Sequence, residues 1–398
     1  MPRLHLSLPD QDLIEQLATA FVSETIDQYM EHLDAFRSQR QPRISKKRWK
    51  QIKKRGNMTI YQDRLADQSV RQKASFRDLL ENPRALAKTH VVMGLGHCEG
   101  LMEDAVYGSI APTEELMMIK TAYSSDGVVD CRILAPIAVP TPSDPLRELQ
   151  IKWCVNGSAP MIVSSLVRNR DFVYVESSGI VMTHSGERIG FNFLHSLEFE
   201  GIPELSHLGL VRANLSICSL FRQRVEGGVE LFLQGFCDPL GDMAASVAIL
   251  TTAEAILSYA GVVRSGQMKK LNWVLSKNAA IVYAQQPEVC CMCHKSQVGS
   301  LYPKKLCRIC KGRVCHKCRE PQRLSFVDLR SRKVRQYKLS FCTRCVNAAK
   351  HASAMQIAHD ELVEENPMGA YEVDQESISS MSSFRSSAHS DLRMQFFV

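Results

Sequence analysis

Between Cys290 and Cys345 the chain carries four cysteine pairs, Cys290/Cys293, Cys307/Cys310, Cys315/Cys318 and Cys342/Cys345, each with two residues between its members. One tight turn with that spacing aims two thiolates at one ion, and tetrahedral zinc takes four sulfurs. Four pairs therefore describe two closed structural zinc sites, two Zn(2+) per chain. A disulfide scaffold is the competing use of so many cysteines. No apolar leader with a basic front precedes Pro9, so reduced, metal-binding thiols are expected instead.

The pairs can be joined in sequence or crossed. Only four residues separate Cys310 from Cys315, which favours crossing without proving it. The assignment is Cys290, Cys293, Cys315 and Cys318 to one ion, and Cys307, Cys310, Cys342 and Cys345 to the other. Cys291 and His316 are not needed to complete either set.

This pattern resembles the FYVE zinc finger, which crosses its zinc sites and typically binds phosphatidylinositol 3-phosphate on endosomal membranes. Arg308 stands where the family's arginine follows the third cysteine, with Lys304 and Lys305 ahead of it. The family's two histidines are replaced by Lys305 and Leu306, its glycine after the fourth cysteine by Lys311, and its Trp-x-x-Asp by Tyr283 and Gln286. Its Arg-Val-Cys becomes Ser340-Phe341-Cys342. The resemblance implies the fold and the zinc, while selective reading of the 3-phosphate does not follow. Lys304, Lys305, Arg308, Lys311 and Arg313 form a basic patch expected to meet an anionic lipid head group. Val298, Leu301 and Tyr302 sit where a membrane-inserting loop would lie.

The chain of 398 residues is too long for one ordinary domain, and 45% apolar content supplies a substantial core. No run of eighteen apolar residues predicts a membrane span. In residues 10–36, Leu13, Leu17, Phe21, Tyr29 and Leu33 recur at helical spacing, with acids on the polar side, which predicts an amphipathic helix docked on the next domain. Arg37 to Arg55 holds ten Lys or Arg and no acid. With Trp49 its one aromatic residue, nucleic-acid contact is not favoured.

Residues 45–282 read as one α+β domain. The expected strands are Met58–Arg64, Glu115–Tyr123, Val128–Ile137, Glu148–Cys154, Phe172–Ser178, Ile189–Phe199, Leu210–Arg222 and Val229–Cys237. A helix starts within Glu99–Tyr107, and a long one runs from Gly241 to about Ser276, interrupted at Gly261 and Gly266. Ser125-Asp126-Gly127 and Glu226-Gly227-Gly228 read as hairpin turns. Arg48-Trp49-Lys50, Glu103-Asp104, Tyr107-Gly108, Ile151-Lys152-Trp153, Arg170-Asp171-Phe172 and Asp238-Pro239-Leu240-Gly241 together resemble the START family. That implies a helix-grip fold, a curved antiparallel sheet gripped by a long C-terminal helix, with an apolar lipid ligand beneath that helix.

The domain plan is thus 1–44 helix and basic linker, 45–282 START-like domain, 283–348 FYVE-like finger, and 349–398 a short helix and a disordered serine-rich tail. No set of His97, His184, His195 and His207 with a nucleophile suggests catalysis, so the chain is not expected to be an enzyme. Cys98, Cys131, Cys154, Cys218 and Cys237 read as inert core thiols. The pairing of the two units resembles START/FYVE proteins of oomycetes. It implies a cytoplasmic adaptor or lipid carrier, peripheral on endosomal membrane. A protein-binding scaffold with a purely structural finger, and a nuclear or RNA-associated module, stay open as alternatives.

Overall fold

A computed structural model describes residues 1–38, 44–65, 92–157, 168–238, 240, 245–278, 288–296, 305–328, 330–331 and 333–373. Its centre is a mostly antiparallel sheet built from β1 (Trp49–Arg55), β2 (Met58–Asp63), β3 (Val92–Cys98), β4 (Val128–Ala138), β5 (Glu148–Asn156), β6 (Arg170–Met182), β7 (Arg188–Ser196), β8 (Val211–Arg212), β9 (Asn214–Gln223) and β10 (Val229–Asp238). The order across it is β1-β2-β3-β10-β9-β7-β6-β5-β4, with β8 beside β6. The two ends of the chain segment thus meet in the middle, where β10 pairs with β3.

One face of the sheet is covered by α1 (Leu8–Ser38). Ser7 accepts the Asp10 amide and starts the helix, as an N-cap does. Leu17, Phe21, Val22, Tyr29 and Leu33 then bury against Leu149, Ile151 and Trp153 of β5, Val173 and Val175 of β6, and Phe193 of β7. Phe21 stacks on Phe193 with ring centroids 4.9 Å apart. Burial of each such side chain contributes roughly 1.5–3 kcal/mol, so α1 is an integral layer of the domain.

The opposite face carries α2 (Met102–Ser109), α3 (Glu114–Ser124), α4 (Ala245–Ser258) and α5 (Val262–Lys277). Under α4, Ala253, Ile256 and Leu257 pack on Ile60, Val92, Leu231 and Leu233. The approach is close: a Cβ on Gly94 would lie 2.6 Å from Ile256 Cγ2. Toward β5 and β6 the same face is ionic. Lys152 is fully buried with Glu148 and with Glu176, whose Oε2 is 2.9 Å from its Nζ. Lys120 and Asn192 each reach Glu176 Oε1 at 3.0 Å, and the Tyr259 hydroxyl donates to Asn192. Two lysines balance two glutamates, so this network is neutral and internally satisfied.

Several expectations change. Glu115–Tyr123 is helix α3, not a strand, because the Thr113 side chain accepts the Leu116 amide and acids fill the first turn. Ser125 caps that helix in a left-handed conformation, so Ser125-Asp126-Gly127 is no hairpin turn. Strands β1 and β3 are additional; β3 was hidden by glycines at 94 and 96. Gly261 does fall at the break between α4 and α5. Gly266 lies inside α5, where a Cβ would meet Asp104 O at 2.0 Å, and its bareness lets α2 cross α5 closely. Behind the finger the chain forms two helices, α6 (Thr343–His351) and α7 (Ala354–Val363), and then packs as far as β15 (Glu372–Val373). The tail beyond 373, residues 39–43 of the basic stretch, and Tyr283 and Gln286 lie outside the described residues. Among the described residues no helix is long and apolar enough to cross a membrane.

Candidate metal centres and the basic face beside them

Two short turns set the finger's geometry. In the first, the His294 amide returns to Cys290 O at 2.9 Å; in the second, the Lys311 amide returns to Cys307 O at 2.9 Å. The residue closing each turn is left-handed, with φ +56° at His294 and +55° at Lys311. This conformation folds each Cys-x-x-Cys back so that both thiols point to one side. Amides then point at sulfur: Met292 and Cys315 N–H at Cys290 Sγ, both 3.5 Å, and Cys345 N–H at Cys342 Sγ, 3.4 Å.

β11 (Lys305–Leu306) pairs with β12 (Arg313–Val314), and β13 (Arg319–Asp328) with β14 (Val334–Cys342). These hairpins carry the second turn and the last pair into place, with Cys342 at the N-terminus of α6. The result is two clusters, Cys290, Cys293, Cys315, Cys318 and Cys307, Cys310, Cys342, Cys345, which bring the thiols together in the crossed grouping. In each, the four sulfurs lie within 4.8 Å of one another. Cys293 and Cys315 are 3.8 Å apart, and Cys310 and Cys342 3.9 Å. A tetrahedron with Zn–S of about 2.3 Å has edges of about 3.8 Å, so the donor sets fit zinc in size, number and kind.

The thiols' acidities differ within a set. Burial tends to raise Cys290, but the amides of Cys315, Cys293 and Met292 prevail and bring it to about 6. Burial and the neighbouring thiols push Cys318 up to about 12. Binding a cation must therefore release protons, and it removes the repulsion among thiolates. Cys291 belongs to neither cluster, and burial with the adjacent thiols raises it to about 12. His316 is exposed and joins neither set.

Lys305, Arg308, Lys311 and Arg313 ride on the β11–β12 hairpin, where the Arg308 amide bonds Ser340 O. Burial, then Arg319 and Arg308, lower the Lys305 pKa, which places Arg319 in the same positive cluster. Arg319 was not singled out in the sequence, although a basic residue directly after Cys318 was its visible signal. Nε and Nη1 of Arg313 are buried without an acceptor among the described residues. Lys304, Val298, Leu301 and Tyr302 lie outside the described residues. Of the histidines in the first domain, His97 is on β3, His184 follows β6, His195 is on β7 and His207 is in a 3₁₀ turn at Ser206–Leu208, so they are spread over the domain. Cys131, Cys154, Cys218 and Cys237 are buried, and burial raises Cys131 and Cys218 to about 12.

The fold and these centres define a mixed α+β protein that resembles a helix-grip architecture, joined to a small region with two four-cysteine clusters capable of holding a metal ion. No family model matches the chain, and no curated protein does. Among solved structures it is similar to human StAR-related lipid transfer protein 5, at 15% identity and TM-score 0.42 over 65% of this chain and 98% of that one. It is also similar to a STAR-related lipid transfer protein from Xanthomonas axonopodis, at 17% identity and TM-score 0.35 over 55% of this chain and 97% of that one. Likenesses this loose concern the backbone alone and say nothing about a ligand.

Proposed function

We propose that the protein is a non-catalytic adaptor that associates peripherally with anionic, phosphoinositide-bearing membranes, such as the cytoplasmic face of endosomes, through the basic side of its zinc-stabilised finger. The observation that carries this is the Arg313 guanidinium, whose Nε and Nη1 are buried and lack an acceptor among the described residues. Leaving such donors unmade costs about 1–3 kcal/mol, and a phosphate oxygen is a strong acceptor for a guanidinium. Charge points the same way. Residues 304–319 contain seven Lys or Arg and no acid. Two zinc–tetrathiolate sites carry about −2 each, which leaves this region positive. The reading does not draw on a ligand beneath α4, where Ala253, Ile256 and Leu257 pack on Ile60, Val92, Leu231 and Leu233.

Each lysine or arginine near an anionic bilayer contributes about 1 kcal/mol, screened over a Debye length of about 10 Å at 0.1 M salt. Co-sedimentation of the zinc-loaded chain should show binding to phosphatidylcholine vesicles that contain phosphatidylserine or any of several phosphoinositides, with little preference among them. Binding should fall steeply with salt and weaken in Arg313→Ala and Lys305→Ala. Failure of the zinc-loaded protein to bind any anionic vesicle at low salt would refute the adaptor reading and leave a protein-interaction scaffold.

A further inference from the structure

Nine cysteines lie in the finger, and eight of them fill the two clusters. The ninth, Cys291, lies between the clusters. Its chain neighbour Cys290 belongs to the first, and its own amide donates to Arg313 O at 2.8 Å, which sets it beside β12 and against the second.

Gly312 shows how near Cys291 comes to a ligand of that second cluster. A Cβ added there would stand 2.8 Å from Cys291 Cβ, 3.0 Å from Cys291 Sγ and 3.6 Å from Cys310 Sγ. Both sulfurs therefore border one small gap, which any side chain at 312 would fill. The φ of Gly312 lies outside the left-handed region, so its bareness supplies space, not backbone freedom. Exposure singles out the same ligand. Cys307 and Cys342 are fully buried, whereas Cys310 and Cys345 are half-buried, as is Cys291, and of these two ligands Cys310 is the one that borders the gap.

We propose that Cys291 and Cys310 form a peroxide-responsive modification site, whose disulfide removes Cys310 from the ligand set of the second ion. The proposal rests on that cluster holding zinc. The Cys310 thiolate attacks one oxygen of hydrogen peroxide, the O–O bond breaks and hydroxide leaves, giving a sulfenic acid. The Cys291 thiol then attacks that sulfur: the S–S bond forms, the S–O bond breaks, and the oxygen departs as water with the thiol's proton. Two sulfurs are oxidised, and the peroxide is reduced to water and hydroxide. The thiolate is the form that binds a metal, so the ion keeps three thiolates and is released.

The full chain, its zinc first counted by elemental analysis in reduced form, is treated with one equivalent of hydrogen peroxide, alkylated and digested without reductant. Peptide mapping should find Cys291–Cys310 as the main disulfide, with loss of about one of two zincs per chain, and reductant with added zinc should restore both thiols and the ion. Cys291→Ser removes no ligand, so it should start with two zincs and release the second about fivefold more slowly, because no resolving thiol displaces Cys310 from the ion. A first disulfide that joins two of the eight ligands, or equal zinc release from parent and Cys291→Ser, would overturn the proposal; the mapping in the parent chain decides it even where the variant does not fold. Absence of zinc from the reduced protein would overturn the metal reading and this proposal together, whereas two zincs with no Cys291–Cys310 linkage would overturn this proposal alone.

Discussion

Lys270 Nζ lies 2.6 Å from Asp104 Oδ1, and neither side chain is reached by solvent. The same ammonium donates to the carbonyls of Lys350 and Ala352, at 2.6 and 2.8 Å. Asp104 belongs to the sheet domain and Lys350 to α6, the helix that carries Cys345, so one side chain on α5 joins both units. Around it, Asn272 donates to Ser325 O, Ser325 N–H to the Tyr123 hydroxyl, and Met268 and Leu271 enter the finger's core beside Phe326, Phe341 and Cys342.

Removal of that ammonium should be costly. Lys270→Met leaves the Asp104 carboxylate buried beside no cation, which destabilises by about 3–5 kcal/mol. Denaturant titration should show that loss, and the double variant Asp104→Leu/Lys270→Met should recover most of it. A loss below 1 kcal/mol in the single variant would contradict the ion pair.

Metal loss should spread beyond the finger. Cys307 and Cys342 share a core with α5, so Cys307→Ser should lower zinc from two per chain to about one and also raise hydrogen exchange in α2 and α5. If residues 102–109 and 262–277 keep their protection in the metal-depleted protein, the two units are energetically independent.

Lys311 sets stability against charge. Its φ of +55° costs a side-chain-bearing residue about 1–2 kcal/mol. Lys311→Gly should therefore stabilise the zinc-loaded finger by about 1 kcal/mol while weakening anionic-vesicle binding roughly fivefold, the loss of one charge near the bilayer. A change of both quantities in the same direction would be inconsistent with this division of roles.

Acid should act through the buried network. Burial alone would raise the Glu176 pKa, but Lys120 and Lys152 outweigh it and hold the carboxyl at about 2 against its usual 4.5. Because the folded value is depressed, its stabilisation is complete above about pH 4.5 and is lost as pH falls toward 2, a difference of ~3 kcal/mol. In Glu176→Gln the fall in unfolding free energy from pH 5 to pH 2.5 should be shallower than in the parent. Identical slopes would remove Glu176 from the acid response.

The cysteine clusters were legible because their determinants are local. Two thiols three residues apart are brought together by one turn, whatever the rest of the chain does, and the short Cys310–Cys315 link already favoured crossing. The strand β5, whose apolar and polar residues alternate, was legible for the same reason, as was the amphipathic α1. Helix α3 was misread because its Thr113 cap outweighs the strand-like character of its apolar residues. Tertiary structure decided the rest. No periodicity in Val262–Lys277 shows that α5 is buried nearly all round, because its Lys269, Lys270 and Asn272 read as solvent-facing until carbonyls from three other segments reach them. Likewise Lys152, Glu148 and Glu176 are ordinary charged residues in sequence, and only the pairing of β5 with β6 makes them one neutral buried cluster. Their burial depends on contacts across many residues, which spacing along the chain does not encode.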